Sequence, residues 1–205
     1  MHYVLYEGLK ALGVSPDEIK MTHMNVPNVN TALRAGKAEV GGVWTNFSFG
    51  TLNEIATPVI KAGDFDIPMT VTIQARKETL EGTSKREAIT KWLEVYFMAI
   101  EWVYASEENT ALAVDWYVEF NKGNGVTSTT EEIMALVTSD VWLTLEDNLE
   151  MINTMSETGD YNIFVEAAAE PLKFFVELGN YTQADLDKFI KEEYYDFSII
   201  QSLAK

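Results

Sequence analysis

The chain has 205 residues, 47% of them hydrophobic, with five prolines, no cysteine and a formal net charge of −17. That length and apolar content suffice for one sizeable core or two small ones, and the lack of cysteine excludes disulfides, thiolate metal sites and cysteine nucleophiles while leaving the compartment open. Residues 1–100 hold 11 acids against 10 bases and residues 101–205 hold 21 against 5, so the excess negative charge sits in the second half; such a surface repels phosphate backbones and anionic lipid, which argues against nucleic acid or membrane surfaces as partners.

From the amino terminus, Leu5, Leu9 and Leu12 recur at one helical face and predict a first helix, from Tyr3 to the break at Gly13. After the turn Val14-Ser15-Pro16-Asp17, the partly alternating segment Ile19–Met24 predicts a strand, in which His23 reads as a hydrogen-bonded structural residue. Pro27-Asn28 opens a second helix, which Gly36 closes because glycine takes the left-handed conformation without a Cβ clash. The apolar run Val40–Trp44 fits a strand, and Thr45 or Asn46 can cap a third helix over about residues 47–55. Further strands are predicted near residues 58–61 and 69–74. This α-β-α-β-α-β-β order over residues 1–78 predicts an α/β module with a small, mostly parallel sheet flanked by helices. Trp44 then stands at the carboxyl end of a strand, where open α/β sheets bind small ligands.

From Ser84 the pattern becomes purely helical. Ile89, Trp92, Leu93, Tyr96, Ile100 and Val103 recur at three- and four-residue spacing along one long amphipathic helix ending near Ala105. Ser106 can cap the next helix, to about Asn121, and Lys122-Gly123-Asn124-Gly125 is a strong break. Ser128 with Glu131, or Thr129 with Glu132, has capping-box spacing, and Thr144 with Asp147 resembles one with a shorter acid. Helices are expected over about residues 131–138, 145–155, 163–178, with Pro171 as a kink, and 183–193. Residues 79–205 thus form an α-helical region.

Motifs for chemistry are sparse. There is no GxSxG, P-loop, GxGxxG or HExxH, so no motif assigns a nucleophile, a nucleotide or a catalytic zinc, and neither an enzyme nor a cofactor is expected. His2 lies at the entrance of the first helix, where unsatisfied N–H groups and the positive dipole end favour an anion. The acid pairs Asp64/Asp66 and Glu131/Glu132 read as loop and helix-start residues. No apolar run approaches the ~20 residues that span a bilayer, and Met1-His2-Tyr3-Val4 does not start a signal peptide, so neither membrane insertion nor a targeting signal is expected in this chain.

The order of His2-Tyr3 at a helix start, then Leu9-Lys10-Ala11-Leu12-Gly13-Val14-Ser15-Pro16-Asp17-Glu18-Ile19, then Thr31-Ala32-Leu33-Arg34-Ala35-Gly36-Lys37-Ala38-Glu39-Val40 and Val43-Trp44, resembles a known family. It is similar to the second lobe of the taurine/aliphatic-sulfonate/nitrate group of ABC-transporter substrate-binding proteins, which have the type 2 periplasmic-binding fold. Gln74-Ala75-Arg76-Lys77 resembles the strand and turn that lead back to the other lobe, and Phe174-Phe175-Val176-Glu177-Leu178-Gly179 resembles the family's C-terminal region. Family members begin with most of a first lobe, so the resemblance implies a chain that lacks it. Two local departures are Asn46 where the family often has proline, which bears on the shape of the site loop, and Glu39 where it has aspartate.

The resemblance implies reversible capture of a small, usually anionic solute such as a sulfonate, taurine or nitrate, with delivery to an ABC permease and no covalent chemistry. It assigns His2, Tyr3, Trp44, Thr45 and Asn46 as ligand-binding residues, with Asp64 and Phe65 as weaker candidates near the crossover. The parent is expected to be periplasmic or at the cell surface. Two other readings are a self-associating interaction module with a vestigial site, paired through the helical region as a homo-oligomer, and an enzyme like the pyrimidine-precursor synthases of thiamine biosynthesis. Two histidines and no cysteine equip the chain poorly for the latter.

Overall fold

In a computed structural model of the chain, the described residues are 2–44, 55–65, 71–125, 127–139, 142–191 and 195–204. They fall in two compact units, residues 1–69 and residues 70–205.

Among its described residues the first unit has two helices, α1 (His2–Ala11) and α2 (Val26–Arg34), joined through the 3-10 turn Pro16–Glu18. Both helices end the same way. Gly13 and Gly36 take φ of 69° and 63°, and the following residue reaches back into the helix: Val14 N–H donates to the Leu9 carbonyl and Lys37 N–H to the Ala32 carbonyl, each at 2.9 Å. Glycine is needed there because any Cβ is strained at positive φ. At the other end of α2, the Asn25 side chain accepts from Asn28 N–H at 3.2 Å, and Ser15 with Glu18 forms a reciprocal capping box around the 3-10 turn.

The expected small, mostly parallel sheet flanked by helices is overturned. Among the described residues there is no strand, and the one β-bridge, Met155 with Asn162, lies in the second unit. The segments at residues 19–24, 40–44 and 58–61, and the described part of the 69–74 segment, are without strand assignment. The reason is that apolar runs specify a tendency to extend, whereas a strand also needs a neighbour about 4.8 Å away to complete its hydrogen-bond ladder. Burial confirms it: Val40, Val59 and Val71 are 71%, 71% and 92% exposed, which no parallel sheet covered on both faces permits. His23, expected as a structural residue inside a strand, is likewise exposed. Two of these segments instead lie against helices through glycine. A Cβ on Gly41 would sit 2.6 Å from Val29 Cγ1 and 2.8 Å from Leu33 Cδ1 of α2, and one on Gly8 of α1 would collide with Ile60 Cδ1. The helix expected over residues 47–55 falls, except for Ile55, outside the described residues.

The second unit is helical: α3 (Lys77–Glu81), α4 (Thr83–Tyr104), α5 (Glu107–Gly123), α6 (Thr130–Ser139), α7 (Leu145–Asn153), α8 (Ile163–Glu177), α9 (Gln183–Lys191) and α10 (Ser198–Gln201). Its caps follow from side-chain chemistry. Ser106 accepts from Asn109 N–H at 3.1 Å. Of the two boxes with the right spacing before α6, the structure uses Thr129 with Glu132, and Ser128 accepts instead from the Asn121 amide at 3.0 Å. Thr144 and Asp147 close a third box at the start of α7.

Val114, with no exposed surface, Ile133 and Val137 form the centre of one core cluster, surrounded by Val103, Tyr117, Val118 and Met134 from α4, α5 and α6. Tyr104 adds a polar tie by donating to the Val137 carbonyl at 3.3 Å. Further along, α8 packs on α7 and α9, while α10 contacts α4 and α7. Arg86 near the start of α4 donates to Asp196 at 2.9 Å and to the Ser198 hydroxyl, which fixes the first turn of α10. Between α7 and α8 the chain reverses tightly: Ser156 N–H donates to the Tyr161 carbonyl at 2.8 Å, with Gly159 at φ 75°.

Candidate functional site

Of the seven residues singled out from the sequence, five are described, all in the first unit. His2 and Tyr3 form the first turn of α1, with His2 exposed and Tyr3 half-buried. The His2 ring meets Tyr6 edge to face at 5.0 Å between centroids.

Trp44 ends the segment that passes α2 at Gly41, and its indole is 58% exposed. Thr45 and Asn46 lie outside the described residues.

Asp64 and Phe65 belong to the 3-10 turn Ala62–Phe65. Asp64 accepts from Lys61 N–H at 2.7 Å while its own N–H donates to the Lys61 carbonyl at 3.1 Å. This reciprocal pair makes Asp64 a turn-forming residue, four positions beyond the Ile60 that covers Gly8 of α1. Phe65 beside it is half-buried.

The second unit contains a groove that the sequence patterns did not single out. It is about 840 Å³, lies between α8 and α9, and is lined by Pro171, Phe175, Tyr181, Asp185, Lys188 and Phe189 among others. The signal in sequence was the aromatic spacing at residues 175, 181 and 189, which reads equally as core packing. Asp185 there is committed to structure. It accepts from Thr182 N–H and Oγ1 at 2.8 and 2.7 Å, and the Thr182 hydroxyl and N–H hold its carboxyl below the usual range. Among the described residues no group of three or more His, Asp or Glu side chains could hold a metal ion, and no helix is long and apolar enough to cross a membrane.

Among known proteins, the chain is similar to one from Brachyspira hyodysenteriae that is provisionally named an ABC transporter periplasmic binding protein. The two are 23% identical over 163 residues, which is 78% of this chain and 45% of that protein. The chain therefore spans under half the length of that relative. No family model matches the chain, and no solved structure matches it.

Proposed function

We propose that this chain is a solute-binding component, or part of one, of an ABC importer, and that it reversibly binds a small anion at the site containing His2, Tyr3 and Trp44. The observation that carries the reading is the similarity over 163 residues to a protein named for that role. It extends across 78% of this chain. On this reading the start of α1, with the His2 imidazole, meets an anionic headgroup such as a sulfonate or nitrate. Trp44 supplies apolar area for the solute's organic part, and Thr45 and Asn46 supply short polar groups beside it. Asp64 supports the turn that follows Ile60, and Phe65 adds a further apolar surface. The partners on this reading are the solute and an ABC permease, and the location is periplasmic. No covalent step is required, since capture and release serve transport by themselves.

The test is thermal unfolding of the chain in the presence of taurine, an alkanesulfonate, nitrate or bicarbonate. A ligand of the native state at about a hundredfold excess over its Kd adds about 2.7 kcal/mol of stability, a clear rise in Tm. His2→Ala and Trp44→Ala are expected to reduce that rise, measured against each variant's own solute-free Tm. No shift with any solute, and no solute-sized adduct in native mass spectrometry, would overturn the reading. Consumption of a solute during incubation would replace it with an enzyme.

A further inference from the structure

Asparagine followed by glycine occurs once in this chain, at Asn124-Gly125. Every other asparagine precedes a residue with a branched, aromatic or charged side chain. The pair ends α5, and both residues are exposed. Its chemistry follows from reach: the backbone nitrogen of one residue can close a ring onto the side-chain amide carbon of an asparagine just before it, expelling ammonia. A side chain on the second residue crowds that closure, and glycine has none. The surroundings of Gly125 add no obstacle, since a Cβ built there would meet nothing within 4 Å.

The folded turn holds the two groups apart. With Asn124 at ψ 10°, the Gly125 nitrogen is turned away from the Asn124 side chain. Asn124 Nδ2 donates to the Phe120 carbonyl at 2.8 Å, and Gly125 N–H donates to the Lys122 carbonyl at 3.1 Å. Ring closure therefore waits for this turn to open. Helix ends are where opening costs least, and Gly125, at φ 75°, stands just past the end of this one.

We propose that Asn124 is a site of spontaneous deamidation, gated by opening of the last turn of α5. In the opened turn the Gly125 nitrogen loses its proton to hydroxide and attacks Asn124 Cγ. The bond from Cγ to Nδ2 breaks, Nδ2 takes up a proton and leaves as ammonia, and a cyclic imide remains. Water then adds to either imide carbonyl and breaks its bond to the Gly125 nitrogen. Addition at the side-chain carbonyl gives aspartate. Addition at the main-chain carbonyl gives isoaspartate, in which the backbone runs through the former side chain. No residue of the first unit takes part, so the solute reading is not involved.

The product weakens the helix end that controls its formation. A carboxylate at residue 124 cannot donate to the Phe120 carbonyl, and it places negative charge at the negative end of the α5 dipole. Asn121, in the same last turn, donates to the Ser128 hydroxyl at 3.0 Å, so fraying there reaches the segment that leads into α6.

Incubation of the full chain at neutral and mildly alkaline pH, followed by peptide mapping with mass spectrometry, tests the proposal. Aspartate and isoaspartate at residue 124 are expected together, at a rate that rises with pH. Because two hydrogen bonds open first, conversion should run about tenfold slower in the folded chain than in the chain unfolded in urea. Gly125→Ala should slow conversion in the unfolded chain, where folding is not in question. Asn124→Asp should speed amide exchange in the last turn of α5 more than Asn124→Ala, which loses the same bond without adding charge. A residue 124 that stays an amide in the folded chain, through an incubation long enough to convert the unfolded chain many times over, would overturn the proposal. Equal rates in the folded and unfolded chain would overturn the gating. Aspartate without isoaspartate would overturn the imide route, and exchange in Asn124→Asp no faster than in Asn124→Ala would overturn the effect of charge on the helix.

Discussion

Val114→Ala removes two methyl groups from the one large side chain that, among the described residues, has no exposed surface. At about 0.8 kcal/mol per buried methylene the transfer loss is about 1.6 kcal/mol. Val114 touches the α4–α6 cluster from its centre, with Ile133 and Val137 on α6 and Val103 on α4, so the site collapses only in part. A residual cavity raises the expected cost to about 2 kcal/mol. Urea unfolding followed at 222 nm reads this as a midpoint lowered by about 1 M, for a slope of about 2 kcal/mol/M. The neighbouring Asp115→Ala, at an exposed position, should stay within about 0.5 kcal/mol of wild type. If Val114→Ala cost no more than Asp115→Ala, the three-helix cluster would not be the core of this unit, and the reasoning from burial to stability would fail.

The Arg86–Asp196 pair is about one-third exposed on each side, so a double-mutant cycle with Arg86→Ala and Asp196→Asn should give about 0.5–1 kcal/mol, less at high salt. Arg86 and the Ser198 hydroxyl hold the Asp196 carboxyl below its usual range. Its contribution is therefore full above about pH 4 and disappears as pH falls through the lowered folded value; a contribution that grew on acidification would contradict this. Thr144→Ala should cost about 1 kcal/mol through loss of the α7 cap. In an NMR titration it should also let the Asp147 carboxyl, now lowered by the Thr144 hydroxyl and N–H, rise toward its ordinary value. Gly41→Ala should speed amide exchange in α2 and destabilise the first unit by about 1–3 kcal/mol, because its Cβ would press on Val29 and Leu33. Gly63→Ala, with open space around it, should do neither.

The helices were legible because their signals are local. Gly13 and Gly36 mark their ends by the backbone conformation they alone accept, and Ser106 and Thr144 mark starts through hydroxyls that reach N–H groups three residues on. Leu145–Asn153 and Gln183–Lys191 follow from spacing and caps within one stretch of chain. Two short helices, α3 and α10, were not expected. Each is under two turns, and α10 is set by Arg86 from more than a hundred residues away, a contact that no local pattern contains.

The candidate site was legible only as separate pieces. His2 and Tyr3 at a helix start, and Trp44 at the end of an apolar run, could each be named from residue type and position. The local role of Asp64 was not visible, because its bond to Lys61 N–H requires knowing that the chain turns there.

The sequence by itself determined the helical segments, their caps and the uneven charge, because each depends on residues within a few positions of one another. Tertiary structure alone decided that the apolar runs at residues 40–44 and 58–61 lie beside helices at glycine rather than in a sheet. It also decided that Trp102 and Trp116 stack. Strand pairing and ring stacking between helices depend on partners distant in sequence, and periodicity within a segment carries no information about which partner arrives.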